Sequence, residues 1–159
     1  MVLLDDGVIP IASGLSALGA VSRYRIGPAD RDYASSAYIE VVGAVTPKAL
    51  MPFAPVRAAA ARGVSGVTVT FTRRSRIDAD NWEPLDIGLG EQSEAYDIEI
   101  WQGPLRKRVI GAVTPQCLYA SADELADFGA AQSALLLVLY QKSAAVGRGF
   151  PLVVSAAVM

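Results

Sequence analysis

From Pro55 onward the chain is a series of short apolar segments, most of them separated by turn-forming residues. Gly103-Pro104 and Thr114-Pro115 are two of these turn signals. Seven short strands within roughly 100 residues are typical of an immunoglobulin-like or fibronectin type III-like β-sandwich, so we predict this all-β fold. The predicted strands are residues 56–60, 67–72, 96–101, 107–113, 116–120, 134–141 and 151–158.

One short helix is predicted among these strands. Ser121 and Glu124 have the spacing of a capping box, in which Ser121 caps the first turn and Glu124 reaches back to it. Gly129 stands where a helix-terminating glycine belongs. The helix is therefore expected to interrupt the strands after residue 120.

The sequence predicts a small β-module at residues 1–51. The sandwich would then occupy residues 52–159. Pro47, Pro52 and Pro55 form a stiff connector, and this places the domain boundary near residue 51. The module has little core of its own, so we expect it to lean on a neighbour. The chain opens directly on an apolar strand, which suggests a piece of a longer protein. The strands predicted in this module are residues 2–4, 8–11, 21–26 and 38–42.

A long polar stretch separates two of the predicted sandwich strands. Val67, Val69 and Phe71 alternate on one strand face, and the alternation resumes at Tyr96. The segment between them, residues 73–94, is called the excursion below. Binding residues concentrate on loops held by a rigid scaffold, so the excursion is the candidate functional surface. The predicted sandwich core is Phe71, Tyr96, Ile98, Ile100, Leu136, Val138 and Tyr140.

The composition excludes several classes of function. The chain has no histidine, which removes imidazole general bases, Ser-His-Asp and Cys-His arrangements and histidine-containing zinc sites. Its single cysteine, Cys117, can form neither an intrachain disulfide nor a thiolate cluster. We predict that Cys117 is a small, buried hydrophobic residue. A net charge of -2 gives no attraction to nucleic acid or anionic membrane. We expect no cofactor and no nucleic-acid partner.

The sequence also predicts a soluble protein. The first residues lack the basic and apolar regions of a signal peptide. The longest apolar run, residues 134–140, is far too short to span a bilayer. The basic clusters at residues 73–76 and 106–108 lie among acids and are expected to be solvated.

The carboxylates are not predicted to be catalytic or metal-binding. Asp97 and Glu99 share a strand face opposite the core, so both should lie in solvent, without the raised pKa that acid catalysis needs. The acids of the excursion do not reproduce the EF-hand spacing, which disfavours a calcium site. Those acids are Asp78, Asp80, Glu83 and Asp86. The glycines at residues 88–90 and 147–149 match no phosphate loop and predict sharp turns. We therefore predict that the chain is not an enzyme.

Two tryptophans offer aromatic surface for binding. Trp82 lies in the excursion, where it could anchor a protein partner or stack on a sugar ring. Trp101 ends a strand, and packing over the rim of the sandwich explains it equally well. Structural packing stays open as the alternative for both residues.

Several motifs follow one another in a recognisable order. They are Val2-Leu3-Leu4-Asp5, Leu50-Met51-Pro52-Phe53-Ala54-Pro55, Thr72-Arg73-Arg74-Ser75-Arg76, Trp82, Leu89-Gly90-Glu91, Glu94-Ala95-Tyr96, Tyr119, Ala126-Asp127-Phe128-Gly129, Tyr140-Gln141 and Val146-Gly147-Arg148-Gly149. Together they resemble the C-terminal region of the tail-tip hub ("megatron" or host-specificity) protein of alphaproteobacterial gene transfer agents and related siphophage tails. The resemblance covers nearly the whole chain. Phe71 stands where that family often has tryptophan, a change that a sandwich core tolerates.

The resemblance implies a non-enzymatic structural subunit at the distal end of a phage-like tail, where it helps to close the tube and contacts the host surface. It implies other tail-tip or baseplate subunits as partners, a host cell-surface glycan or protein as receptor, and a homo-oligomer (a trimer) in the assembled tail. It also implies assembly in the bacterial cytoplasm and a final location in the virion. Full-length relatives carry a barrel domain thought to act on glycans. Such barrels run to about 250 residues, so no hydrolase activity is transferred to this shorter chain.

On this interpretation the excursion is a binding surface, with Trp82 as its anchor. The candidate interface residues are Arg73, Arg74, Arg76, Trp82, Glu91, Glu94 and Arg148. The alternative is a free-standing carbohydrate-binding β-sandwich, which predicts that Trp82 or Trp101 lies exposed and flat beside polar side chains. An enzyme that uses carboxylates alone would require two convergent acids in a cleft, which the sequence does not predict.

Overall fold

The computed structural model describes residues 14–77 and 87–159 of the chain. The chain divides into two compact units, the first ending at Lys48 and the second beginning at Ala49. This division lies close to residue 51, where the prolines place the predicted boundary. Within the described residues, no helix has the length and apolar character needed to cross a membrane.

The described chain consists mainly of strands. In chain order the elements are β1 (Val21–Ile26), β2 (Ile39–Ala44), β3 (Val56–Gly63), β4 (Gly66–Thr72), β5 (Tyr96–Gln102), β6 (Leu105–Ala112), β7 (Gln116–Ala120), α1 (Ser121–Phe128), β8 (Ala134–Ser143) and β9 (Gly147–Ala157). Two 3-10 helices, Leu15–Ala17 and Lys48–Leu50, complete the described secondary structure.

The described part of the first unit contains an antiparallel pair, β1 and β2. These two strands match those predicted at residues 21–26 and 38–42. No residue from 14 to 48 is fully buried, as expected when only two strands are available to cover one another. The strands predicted at residues 2–4 and 8–11 lie outside the described residues.

The second unit is a β-sandwich of the fibronectin type III or immunoglobulin-like class, as predicted. One antiparallel sheet has the strand order β3-β4-β7, and the other has the order β6-β5-β8-β9. Each sheet turns its apolar face inward, so that the two faces form one core. All seven strands predicted for this unit are observed, with boundaries shifted by a few residues at most. The buried apolar core is Ala60, Val67, Val69, Phe71, Tyr96, Ile98, Ile100, Cys117, Tyr119, Leu135, Leu137, Leu139 and Ala156.

The core confirms part of the prediction and corrects the rest. Phe71, Tyr96, Ile98 and Ile100 are buried as expected. Cys117 is also buried, and the loss of hydration raises the pKa of its thiol to about 11, so it is an inert hydrophobe.

The predicted face of β8 is wrong. Leu135, Leu137 and Leu139 are completely buried. The residues predicted for the core, Leu136, Val138 and Tyr140, lie on the opposite face and are half-buried. Successive side chains of a strand point to opposite sides, so an error of one residue exchanges the two faces.

The helix α1 ends as predicted but begins differently. Gly129 adopts the left-handed conformation with φ 76°, and its N–H donates to the Leu125 carbonyl oxygen at 2.8 Å. The predicted capping box is not formed, because the N-cap residue is Ala120 and no side chain caps the helix. Ser121 is the first helical residue, and the Glu124 carboxylate is turned inward.

The two sheets are joined along one side of the sandwich. A parallel bridge pairs Ala60 with Val158, beyond the end of β9. Near the start of β9, the Phe150 N–H donates to the Pro52 carbonyl oxygen at 2.9 Å. A Cβ at Gly149 would overlap this Pro52 carbonyl. Close packing against the connector, and not the predicted turn, therefore explains this glycine.

Candidate functional site

The two limbs of the excursion are tied together where they leave the sandwich. The Arg73 guanidinium donates to the carbonyl oxygens of Ile87 at 2.6 Å and Gly88 at 3.4 Å. Arg76 Nη2 donates to Glu91 Oε1 at 2.8 Å, and the Glu91 carboxylate is nearly buried. Short hydrogen bonds with an ionised partner are stronger than neutral ones. The base of the excursion is therefore fixed by its own arginines.

The C-terminal end of the excursion is anchored to the sandwich core. Tyr96 Oη donates to Glu94 Oε1 at 2.7 Å. The Tyr96 ring meets Phe71 edge-on, with 4.8 Å between the ring centroids. Burial, and then the hydrogen bond to Glu94, raise the pKa of Tyr96, so its hydroxyl remains a proton donor. Glu94, predicted as an interface residue, thus has an internal partner.

The remaining candidate interface residues do not lie together. Arg74 places its guanidinium 4.9 Å from the centroid of the Phe53 ring, in the proline-rich connector. Arg148 lies on the outer face of the four-stranded sheet. Trp82 lies outside the described residues, as do the acids considered as calcium ligands: Asp78, Asp80, Glu83 and Asp86. Among residues 14–77 and 87–159, no three acidic or cysteine side chains group closely enough to hold a metal ion.

A charge network crosses the outer face of the four-stranded sheet. It consists of Asp97, Glu99, Arg106, Lys142 and Arg148. Arg148 donates to Asp97 Oδ2 and to Glu99 Oε1, both at 2.7 Å. Arg106 donates to the same Glu99 oxygen at 2.9 Å, and Lys142 Nζ lies 3.2 Å from Asp97 Oδ1. The five residues come from β5, β6, β8 and β9, so the network links every strand of this sheet.

The prediction that Asp97 and Glu99 lie in solvent is wrong. Their side chains are only 14% and 2% exposed. They do face away from the core as predicted, but the outer face is itself covered. The Arg148 guanidinium lies 4.7 Å from the centroid of the Tyr140 ring, and the Trp101 indole N–H donates to Glu99 Oε2 at 3.0 Å. Long side chains from neighbouring strands therefore shield both carboxylates.

The charge network holds its carboxylates ionised. Burial alone would raise the pKa of Glu99, but hydrogen bonds from Arg148, Arg106 and Trp101 outweigh it, and the pKa lies below its usual value. The same balance, with Arg148 as the main donor, lowers the pKa of Asp97. A general acid needs a raised pKa. The geometry therefore suits joining strands and does not suit proton transfer.

A second set of ion pairs holds α1 against the sandwich. Arg62 on β3 donates to both oxygens of Glu124, at 2.9 and 3.0 Å. Arg108 on β6 donates to both oxygens of Asp127, at 2.6 and 3.1 Å, and Tyr119 Oη donates to Asp127 at 2.8 Å. Because β3 and β6 belong to different sheets, the helix joins the two sheets. The arginine hydrogen bonds lower the pKa of Glu124 and of Asp127.

These pKa shifts predict that the protein loses stability in acid. Asp97, Glu99, Glu124 and Asp127 have lower pKa values folded than unfolded, so their contribution is complete above the unfolded pKa of about 4. It is lost as the pH falls through the folded values. We expect the free energy of unfolding, measured by urea denaturation, to fall steadily below about pH 5.

A matched pair of variants checks the origin of this acid sensitivity. Glu99→Gln removes a titrating carboxylate from the charge network and should flatten the pH dependence. Glu40→Gln should leave it unchanged, because Glu40 forms a surface ion pair with Arg23. A free energy of unfolding that stays constant or rises between about pH 5 and pH 2 would contradict the assignment.

Sequence reasoning found one member of the charge network and missed the others. Arg148 was predicted as an interface residue, whereas Asp97 and Glu99 were assigned to solvent. One signal for the network was present. Lys142 and Arg148 lie between the last two predicted strands, and a strand with two acids on its outer face could pair beside them.

Comparisons with known proteins support no family assignment. No protein-family model matches the chain, and no curated protein matches it significantly. Among solved structures, the chain is similar to the crystal structure of the rat CD45 extracellular region, domains d3–d4. The TM-score is 0.46 and the sequence identity 11%, with coverage of 99% of this chain and 74% of that one. A similarity at this level implies no shared function.

Proposed function

We propose that the chain is a non-enzymatic structural component of a phage-like tail tip, which mediates assembly and attachment to the host surface. The observation that carries the proposal is the construction of the excursion. A loop whose limbs are tied by Arg73 and Arg76 leaves a rigid sandwich at a fixed place. Loops presented in this way are suited to binding. The excursion, with Trp82 as its anchor, is the proposed contact surface.

The motifs that resemble the tail-tip family occupy structural positions in this fold. Arg73 and Arg76 close the base of the excursion. Gly129 ends α1, and Gly147 has φ 77° at the β8–β9 turn. Arg148 lies at the centre of the charge network. A shared scaffold would require such residues, so their positions support the resemblance on which the tail-tip proposal rests.

The chemistry of the described surface favours a structural role. The two most shielded carboxylates of the outer sheet face, Asp97 and Glu99, are each paired with Arg148. Trp101, which the carbohydrate-binding alternative would need exposed and flat, is half-buried, and its indole N–H is bonded to Glu99. The described residues therefore give that alternative no specific support.

A pull-down with tail components tests the proposal. We expect the tagged chain to retain tail-tip or baseplate subunits from a culture that produces the particles. Trp82→Ala should reduce this retention about tenfold or more, because buried tryptophans are among the strongest contributors to interfaces. Tyr33→Ala removes an exposed aromatic outside the excursion and serves as the matched control.

Two results would count against the proposal. The first is failure of the folded chain to retain any tail subunit. The second is turnover of a substrate by the purified chain at an enzyme-like rate. Glycan-array binding that is lost in Trp82→Ala would favour the carbohydrate-binding alternative instead.

A further inference from the structure

The sandwich has four lateral strands, and three of them are protected against pairing with another chain. On one side β3 and β9 lie close together. There Arg62 N–H donates to the Met159 carbonyl oxygen at 2.7 Å, and Met159 N–H donates to Ala60 at 3.1 Å. On the other side β6 carries three consecutive basic residues, Arg106-Lys107-Arg108. Covered edges and charged edges are both known to prevent edge-to-edge association.

The remaining lateral strand, β7, has neither protection. It is the last strand in the order β3-β4-β7, and no other described strand pairs with its second side. Its sequence, Gln116–Ala120, contains no charged residue and no proline. Leu118, at the centre of β7, is 51% exposed. Such an edge is a ready template for another strand.

The direction of the backbone groups of β7 follows from its bonds to β4. Phe71 N–H donates to the Pro115 carbonyl oxygen, and Ser121 N–H donates to the Ser65 carbonyl oxygen, both at 3.0 Å. Residues with odd numbers therefore direct their peptide groups towards β4. Because these directions alternate along a strand, those with even numbers direct theirs towards the open edge. These are Gln116, Leu118 and Ala120.

The outer face of the sheet at β7 carries an open cleft of about 550 Å³. The cleft is lined by the β3–β4 turn, by Thr68 of β4 and by Leu118 of β7. Val64, at the tip of that turn, is fully exposed. Pro115 precedes β7 and α1 follows it directly at Ser121, so an added strand would find a pairing segment of defined length.

We propose that β7 pairs in antiparallel fashion with β7 of a second copy of this chain, about a twofold axis through Leu118. Leu118 would then lie opposite its own copy, and Gln116 opposite Ala120. The Ala120 carbonyl oxygen accepts the first hydrogen bond of α1, so the two chains would exchange up to about four hydrogen bonds. The two three-stranded sheets would become one continuous sheet.

The strand that pairs with β7 is assigned to a second copy of the chain because the β7 edge is self-complementary. A twofold contact places the same patch on both chains. In this register leucine meets leucine, and the paired β7 strands themselves carry no charged residue. The contact joins chains in pairs, whereas the trimer expected in an assembled tail would need another surface. The proposal is therefore independent of the tail-tip function.

Sedimentation velocity of the full chain over the micromolar range tests the pairing. We expect a reversible monomer–dimer equilibrium. Leu118→Lys should weaken dimerisation about tenfold or more, because two ammonium groups would face each other across the axis. Val153→Lys adds the same charge at an exposed position of β9 and should leave the dimer intact.

A charge-swap mixture distinguishes pairing from misfolding. Leu118→Lys and Leu118→Asp should each be monomeric alone and should associate when mixed, because opposite charges then face each other. Circular dichroism confirms that each variant is folded. A wild-type chain that is monomeric throughout, a trimer, or a Leu118→Lys variant that dimerises as tightly as Val153→Lys would overturn the proposal.

Discussion

Gly66→Ala is expected to lower the free energy of unfolding by about 3 kcal/mol or more, a large part of the stability of a small domain. Gly66 begins β4 with φ 144°, a conformation that side chains disfavour. A Cβ at this position would overlap the Tyr119 carbonyl oxygen and lie 2.8 Å from Ala120 Cα and Ser121 N. These backbone atoms join β7 to α1 and cannot move without breaking the β4–β7 pairing.

Gly111→Ala is the matched control for this substitution. Gly111 lies in β6, has no positive φ, and a Cβ there would meet no atom within 4 Å. Replacing such a glycine removes flexibility from the unfolded chain, so stability should be unchanged or higher by up to about 1 kcal/mol. Urea denaturation of both variants measures the difference. Equal effects at the two positions would contradict the packing described at Gly66.

Arg148→Met is expected to lower the free energy of unfolding by about 2 to 3 kcal/mol. Among the described residues, the substitution leaves Glu99, which is 2% exposed, with Arg106 as its one remaining charged partner. It leaves Asp97 with Lys142 as its one remaining charged partner there. Removing one partner of a buried pair costs about 3 to 5 kcal/mol. The Arg148 side chain is 36% exposed, so screening by water reduces the expected loss.

A double-mutant cycle tests whether this loss comes from the pairing. Adding Glu99→Gln removes the stranded charge, so the double variant should be more stable than the sum of the single effects predicts. Arg23→Met is the control, because Arg23 and Glu40 form an exposed ion pair on the first unit. Its effect should stay within about 1 kcal/mol. Additive effects of Arg148→Met and Glu99→Gln would contradict the charge network.

The strands were predictable because their apolar residues alternate, but the face of β8 was not. From Ala134 to Tyr140 every residue is apolar, so no polar position marks the outer face. The next residue, Gln141, would normally face solvent. Leu139 lies two residues earlier and so shares its strand face, and the pattern therefore predicts that Leu139 points outward. Instead Gln141 is buried, and its side-chain oxygen Oε1 has no hydrogen-bond partner among the described residues. This one buried amide reverses the apparent alternation.

The environments of the carboxylates were predicted wrongly because their partners are distant in sequence. The acid of the predicted capping box, Glu124, binds Arg62, which lies 62 residues earlier. Glu99 binds Arg148, 49 residues later. Local patterns describe which face of a strand or helix a residue occupies, but not which side chains fold over that face. The end of α1 depends only on Gly129, a local signal, and was predicted correctly.

The position of the chain on a purified particle is the most direct test of its proposed function. Immunogold electron microscopy of particles that carry the tagged chain gives this position. The tail-tip role predicts gold at the distal end of the tail and nowhere else. Gold along the tail tube, gold on the head, or particles without the chain would contradict it.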